Sequence, residues 1–311
     1  MANVELQRAT ASAAGKVILL GEHVVVHGHP ALVAGIDRGV RVTIVPGSAA
    51  GAAAEVDPAL ASAIALAARL LRLDGRPFAV DIAGDLPVGM GLGSSAALAV
   101  ALLRALAASA GETLRDADAA AHAHEIERLF HGTPSGVDST AATYGGVLWF
   151  EAGPPLHHEC LTLRAPMPLV VVLSRTRHAT SRTVGGLRER AVAAPEVYRP
   201  VFAAIAALVG AARAALENDE RARLGALMTM NHGLLRACGV STPELDALVE
   251  AALDAGALGA KLTGGGGGGA VIALPAAEPE RLLAALTDAG HECFAVVVGG
   301  PPSSGARLGE S

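Results

Sequence analysis

Aromatic side chains are scarce in this sequence: one Trp, two Tyr and five Phe, 3% of 311 residues, too few to mark where a nucleotide base would stack. Cysteine is scarce as well. Cys160, Cys238 and Cys293 are odd in number, far apart and without a neighbour at metal-ligand spacing. That argues against a disulfide framework or a thiolate metal centre and leaves them as small core residues in a reducing compartment. Positive charge is in deficit, with 24 Lys and Arg against 30 Asp and Glu and a net charge of −6, so no bulk field exists to hold nucleic acid or an anionic membrane. No run of about 18 apolar residues occurs, and the first residues lack the basic-then-apolar layout of a signal peptide. The expectation is a soluble, cytoplasmic protein with a small ligand and no nucleic-acid or membrane partner.

Lysine is the sharpest shortage. Only Lys16 and Lys261 occur, so 22 of the 24 basic residues are arginine. Both lysines lie beside glycine motifs. Where arginine serves nearly every generic basic role, a retained lysine points to a need for a compact charge with a tunable pKa.

Apolar residues are plentiful, at 51%, enough for an ample core and two lobes, which we divide at Ala165-Pro166 into residues 1–165 and 166–311. Residues 17–20, 24–26 and 40–45 read as strands. Asp57-Pro58 reads as a capped helix start running to about Leu73, followed by a strand over 78–82. A helix over 96–108 and another over 116–130 follow, then strands over 147–151 and 157–163 about the turn at Gly153-Pro154-Pro155. The second half reads as a strand over 169–173, three or four helices of which the last starts at Ser241-Thr242-Pro243-Glu244, six glycines at 264–269, a strand, a helix and a closing strand. This order predicts an α+β sandwich with helices on one sheet face. Residues 301–311 read as a disordered tail.

The segment Pro87-Val88-Gly89-Met90-Gly91-Leu92-Gly93-Ser94-Ser95-Ala96-Ala97 carries the chemistry. Three alternating glycines let the backbone approach a ligand closely, and the helix that follows aims free N–H groups and its positive dipole end at the loop. Taken alone, the segment is either an anion cradle or a glycine-rich turn before a buried helix. It is neither a Walker loop nor a dinucleotide loop, since no lysine has the first spacing and the glycines do not have the second.

Three segments together resemble, in order, the signature motifs of the GHMP small-molecule kinases: residues 14–28, residues 87–97 and residues 261–269. Within that superfamily, GEHxVVxG at 21–28 and HGxPSGxD at 131–138 resemble the mevalonate kinase branch. The resemblance spans about residues 12 to 270. It implies the two-lobed GHMP kinase fold, with a ribosomal-protein-S5-like α/β lobe followed by a ferredoxin-like α+β sandwich. It also implies ATP-dependent phosphorylation of mevalonate with Mg²⁺, in a homodimer.

The resemblance also implies roles. Asp138 falls at the catalytic aspartate, orienting or accepting the proton of the acceptor hydroxyl, and Lys16 at the lysine that pairs with it. Ser95 and Glu127 fall at the magnesium ligands. Pro87, Gly89, Gly91, Leu92, Gly93, Ser94, Ser95 and Ala96 would hold the nucleotide, and the glycines at 264–269 would pack against that loop. Glu22, His23, Ser135 and Thr180 would contact the acceptor substrate, while Glu125 would be an exposed charge. The motifs depart from the family at Ala14, where proline is usual, at Gly265, where alanine is usual, and at His178, where arginine is often found; Arg175 or Arg177 would then meet the substrate carboxylate. Two alternatives stay open: another hydroxyl acceptor, such as phosphomevalonate or a sugar, and a non-catalytic homologue that only binds its ligand.

Overall fold

The computed structural model describes residues 5–47, 57–131, 134–153, 155–176, 180–300 and 307–308. Its framework is a long antiparallel hairpin, β1 (Ala9–Leu20) against β2 (Ala31–Pro46), whose inner faces are almost continuously buried Ala, Val, Ile and Leu. The link between them holds the first departure from the sequence reading. Val24–His27 is a short 3-10 helix and not a strand. The valine run carries a strand signal, but Gly21 (φ 99°), His23 (φ 65°) and Gly28 (φ 81°) turn the chain on both sides of it, and among the described residues it pairs with no strand.

Helix α1 (Pro58–Leu70) starts where the sequence places it: the Asp57 carboxylate accepts from Ala59 N at 2.8 Å, ahead of proline at the first turn. It ends short of Leu73 because Arg72 turns to φ 57°. Strand β3 (Phe78–Gly84) pairs with β2. Helix α2 (Ser94–Ser109), rich in alanine and leucine, is buried along most of its length, and α3 (Asp116–His131) packs beside it. Arg104 on α2 donates to Asp116 Oδ1 at 2.7 Å and to Thr143 O at 2.8 Å, tying α2 to α3 and to a helix the sequence reading missed, α4 (Val137–Tyr144). That helix is only eight residues long and full of Ser and Thr, which bond back to the local backbone: Ser139 Oγ to Gly136 O, Thr143 Oγ1 to Ser139 O. Such residues favour turns as readily as helix, so α4 depends on its packing. Strands β4 (Val147–Glu151) and β5 (His157–Leu161) form a hairpin on β2.

The second half opens with β6 (Met167–Leu173) and the helices α5 (Thr180–Ala193), α6 (Pro195–Glu217), α7 (Arg221–Ala237) and α8 (Pro243–Asp254). Of the described helices, α6 alone is long and apolar enough to cross a bilayer by length and composition, yet it buries Phe202, Ile205, Val209 and Ala212 in the protein's own cores. Next come β7 (Ala257–Thr263), which the sequence reading did not assign, β8 (Ala270–Pro275), α9 (Pro279–Asp288), β9 (Cys293–Val298) and β10 (Arg307–Leu308). The sheet runs β10-β1-β2-β9-β6-β8-β7, antiparallel throughout, with the two halves joined at Ile36 and Val298. The Asp37 carboxylate accepts from Val297 N at 2.9 Å beside that junction.

Two smaller expectations change. Cys238 is buried and Cys293 half-buried, but Cys160 is exposed, because β5 is an edge strand with most of its side chains in solvent. Of the expected tail, Arg307–Leu308 pair with Ala9 and Thr10, and the remainder lies outside the described residues.

Candidate active site

The site is assembled where β1, the loop before α2, and the start of α4 converge. Gly15 has no Cβ, and one there would lie 2.9 Å from Leu92 O, so only glycine lets β1 come this close to the loop. Lys16 N then donates to Leu92 O at 2.9 Å. Gly93, at φ 76°, caps α2 and lies against the Lys16 stem; a Cβ there would sit 2.8 Å from Lys16 Cγ. The lysine side chain is thereby threaded along the loop. Its Nζ donates to Gly91 O at 3.1 Å and lies 3.2 Å from Asp138 Oδ1. Lys16 is 3% exposed and Asp138 30%, so a buried cation holds a carboxylate that still faces outward.

Asp138 is the second residue of α4, where the helix dipole favours a negative charge, and Gly136 at φ 85° makes the turn into that helix. Residues 132–133 of the HGxPSGxD segment lie outside the described residues. At the start of α2 the amides of Ser94, Ser95 and Ala96 have no acceptor inside the helix, the first return bond being Ala97 N to Gly93 O at 2.9 Å. They present an anion-binding helix start next to the Lys16 ammonium.

Behind this cradle the first turn of α2 meets the end of α3. Ser95 Oγ donates to Glu127 Oε1 at 3.0 Å, and His131 Nε2 lies 3.1 Å from the same hydroxyl. Glu127 is buried. Burial and the neighbouring Asp138 carboxylate push its carboxyl up to about 8, against the opposing pull of the Ser95 hydroxyl and the Lys16 ammonium. The oxygens of Ser95 and Glu127 are the hard donors Mg²⁺ prefers, and they lie beside the Asp138 carboxylate. Among the described residues no cluster of three or more His, Cys, Asp or Glu could cage a metal alone.

The second half closes the loop from behind. A Cβ on Gly264 would lie 3.2 Å from Gly91 O, so the glycine run rests directly on the loop backbone. Nor is the run a slack linker: Gly267 N donates to Val240 O at 2.9 Å, Gly269 N to Thr176 O at 3.0 Å, and Ser174 N to Gly269 O at 2.8 Å.

Of the residues expected to touch the acceptor, Ser135 lies in the loop leading to Asp138, its hydroxyl 3.4 Å from Val137 N. His23 is buried at the positive-φ turn. Thr180 is the first residue of α5, but its side chain, like Arg177 and His178, lies outside the described residues; the Arg175 amide donates to Glu244 Oε1 at 2.6 Å. Glu125 is exposed, as its offset from Glu127 predicts. Glu22 lies away from solvent. It is 1% exposed, with one carboxylate oxygen ion-paired to the fully buried Lys261 and the other accepting from Asn231 Nδ2 at 3.3 Å. Its carboxylate is turned inward, between the halves, because the ammonium there needs a counter-charge. Lys261, Asn231 and His131 are the residues that motif reading did not assign. Lys261 left a signal as one of two lysines in an arginine-rich chain and His131 as the head of HGxPSGxD, while Asn231 left none.

Residues 59–146 match the GHMP kinases N terminal domain, and residues 212–292 match the GHMP kinases C terminal domain. The chain is 38% identical to the mevalonate kinase of Thermococcus onnurineus over 91% of this chain and 94% of that protein. It is 36% identical to that of Pyrococcus furiosus over the same shares. The crystal structure of L. major mevalonate kinase in complex with R-mevalonate superposes with a TM-score of 0.84 at 32% identity, covering 95% of this chain and 96% of the other.

Proposed function

The chain belongs to the GHMP kinase family, with mevalonate kinases as its relatives over 91% of its length, and on that premise we infer that it transfers phosphate from ATP to the C5 hydroxyl of mevalonate, giving 5-phosphomevalonate. The observation that carries the chemistry is the Lys16–Asp138 pair, 3.2 Å apart at the mouth of the glycine loop.

In this reading the free amides at the start of α2 and the glycine loop hold the nucleotide phosphates. The Asp138 carboxylate, exposed enough to meet a ligand, accepts the proton of the acceptor hydroxyl as the oxygen attacks. Lys16, 3.2 Å from Asp138, holds the carboxylate in place and steadies the oxygen as it loses its proton. Ser95 and Glu127 would hold Mg²⁺, which when bound neutralises charge on the phosphates. Binding the ion requires Glu127 to give up its proton, the cost that burial beside Asp138 has set. Gly264 keeps the Gly91 carbonyl in place behind the reacting groups.

The test is a coupled assay of ADP release with Mg-ATP and a panel of acceptors: mevalonate, phosphomevalonate and several sugars. Turnover concentrated on mevalonate is the expected outcome. Turnover only on another acceptor overturns the substrate, and none on any overturns the reading as a kinase.

A further inference from the structure

Lys261 is the second lysine of the chain and takes no part in the chemistry above. Its side chain is 0% exposed. The ammonium reaches three acceptors from two halves of the molecule: the Glu22 carboxylate and Ile18 O at 3.4 Å from the first, and Leu262 O at 2.6 Å on its own strand. The other Glu22 oxygen takes Asn231 Nδ2 from α7. The next residue but one, Thr263, repeats the link, its hydroxyl accepting from Ile18 N at 2.8 Å and facing Ile18 O at 3.3 Å. Then comes Gly264, against Gly91, whose carbonyl holds the Lys16 ammonium. An unbroken series of contacts therefore runs from the sealed ion pair to the outward-facing one.

Energetics make this arrangement informative. Taking an ammonium and a carboxylate fully out of water costs more than their attraction commonly returns, and an apolar pair of similar volume is often no less stable. Burial pushes the Glu22 carboxyl up and the Lys261 ammonium down, each resisted by the other. Stability alone gives no reason to keep the pair. A fork-shaped guanidinium could not converge on three acceptors in so closed a space, which accounts for lysine in a chain that otherwise uses arginine.

We propose that Glu22 and Lys261 are positioning residues for phosphoryl transfer, an inter-lobe pin that sets strand β7 against β1 and so fixes Gly264, Gly91 and the Lys16 ammonium. The proposal rests on the kinase reading above for its rate measurement, though not for its second measurement. A displacement of the order of 1 Å at reacting groups costs up to about 100-fold in rate while ligands still bind.

The decisive variant is Glu22→Leu/Lys261→Met, which removes both charges together so that neither is left unpaired, at the cost of the hydrogen bonds to Asn231 Nδ2 and Leu262 O. A single cooperative melt is expected to show that it still folds, while kcat falls about 30-fold or more and the KM values for ATP and mevalonate change less than about threefold. Amide hydrogen exchange across residues 89–95 is expected to quicken in the same variant, with α1 unchanged as the internal control; this needs no acceptor and decides the proposal even if mevalonate proves not to be the substrate. Wild-type kcat with wild-type exchange in a stable double variant overturns it. Should the double variant not fold, Glu22→Gln, nearly isosteric, is read the same way: a selective loss of kcat with faster loop exchange supports the pin, and unchanged values overturn it.

Discussion

Two lysine–carboxylate pairs lie at opposite ends of one set of contacts, and they differ in what surrounds them. Lys16–Asp138 is half open, with a buried cation and a carboxylate 30% exposed, while Lys261–Glu22 is closed on every side, at 0% and 1%. An open carboxylate can exchange a proton with a ligand; a sealed one can only hold its neighbours in place. Both are lysine–carboxylate pairs, so solvent access separates chemistry from positioning.

The sharpest way to break this comparison is at the open pair. Asp138→Asn is expected to lower kcat by about 10³-fold or more with ATP affinity nearly kept, since the amide preserves shape and loses only the proton acceptor. Turnover close to wild type would remove Asp138 from its role, and with it the distinction between the two pairs.

Gly264→Ala tests the contact that joins them. The residue has φ 82°, and a Cβ would press to 3.2 Å of Gly91 O. Alanine there is expected to cost about 1–2 kcal/mol of stability from the backbone conformation alone, and to lower kcat by about tenfold as the Gly91 carbonyl shifts. Thermal melts alongside initial rates check this; loss of stability at full kcat would show that the two regions are adjacent but uncoupled.

The last prediction concerns charge and is read from stability. Glu127 has its carboxyl raised to about 8, so between its ordinary range near 4.5 and pH 8 the folded protein keeps a proton that the unfolded chain has released. Stability of the metal-free protein is therefore greatest near and below pH 4.5 as far as this group is concerned, and it declines as pH rises towards 8. Melts in EDTA from pH 5 to 8 should show that decline, and Glu127→Gln should flatten it. An unchanged slope in the variant would assign the decline to another group. Nucleotide with Mg²⁺ should bind more tightly as pH approaches 8, because the carboxyl has less proton to release.

Much of this was legible from local sequence. The Asp57-Pro58 cap and the alternating glycines before α2 act through neighbours a few residues away, and the structure has them as local chemistry requires, whereas Asp138 on α4 meets a lysine from β1. Where the sequence misled, distant contacts had overridden local preference. The valines at 24–26 look like a strand, yet the turns around them leave no partner; the Ser and Thr of α4 look like a loop, yet Arg104 and the helices beside it hold them in a helix. Glu22 sits in a motif that points to substrate, and its carboxylate faces a lysine 239 positions away.

The order of motifs and the chemistry of each side chain were set in the chain itself: a phosphate loop at a helix start, an aspartate, a Ser and Glu able to hold a cation, and two lysines kept among arginines. The Lys16–Asp138 pairing was already implied by the family resemblance; folding decided that Lys261 meets Glu22, and which pair is left open to a ligand. Both are properties of long-range packing. Solvent access and charge pairing depend on surfaces brought together from far apart along the chain, and no local pattern encodes them.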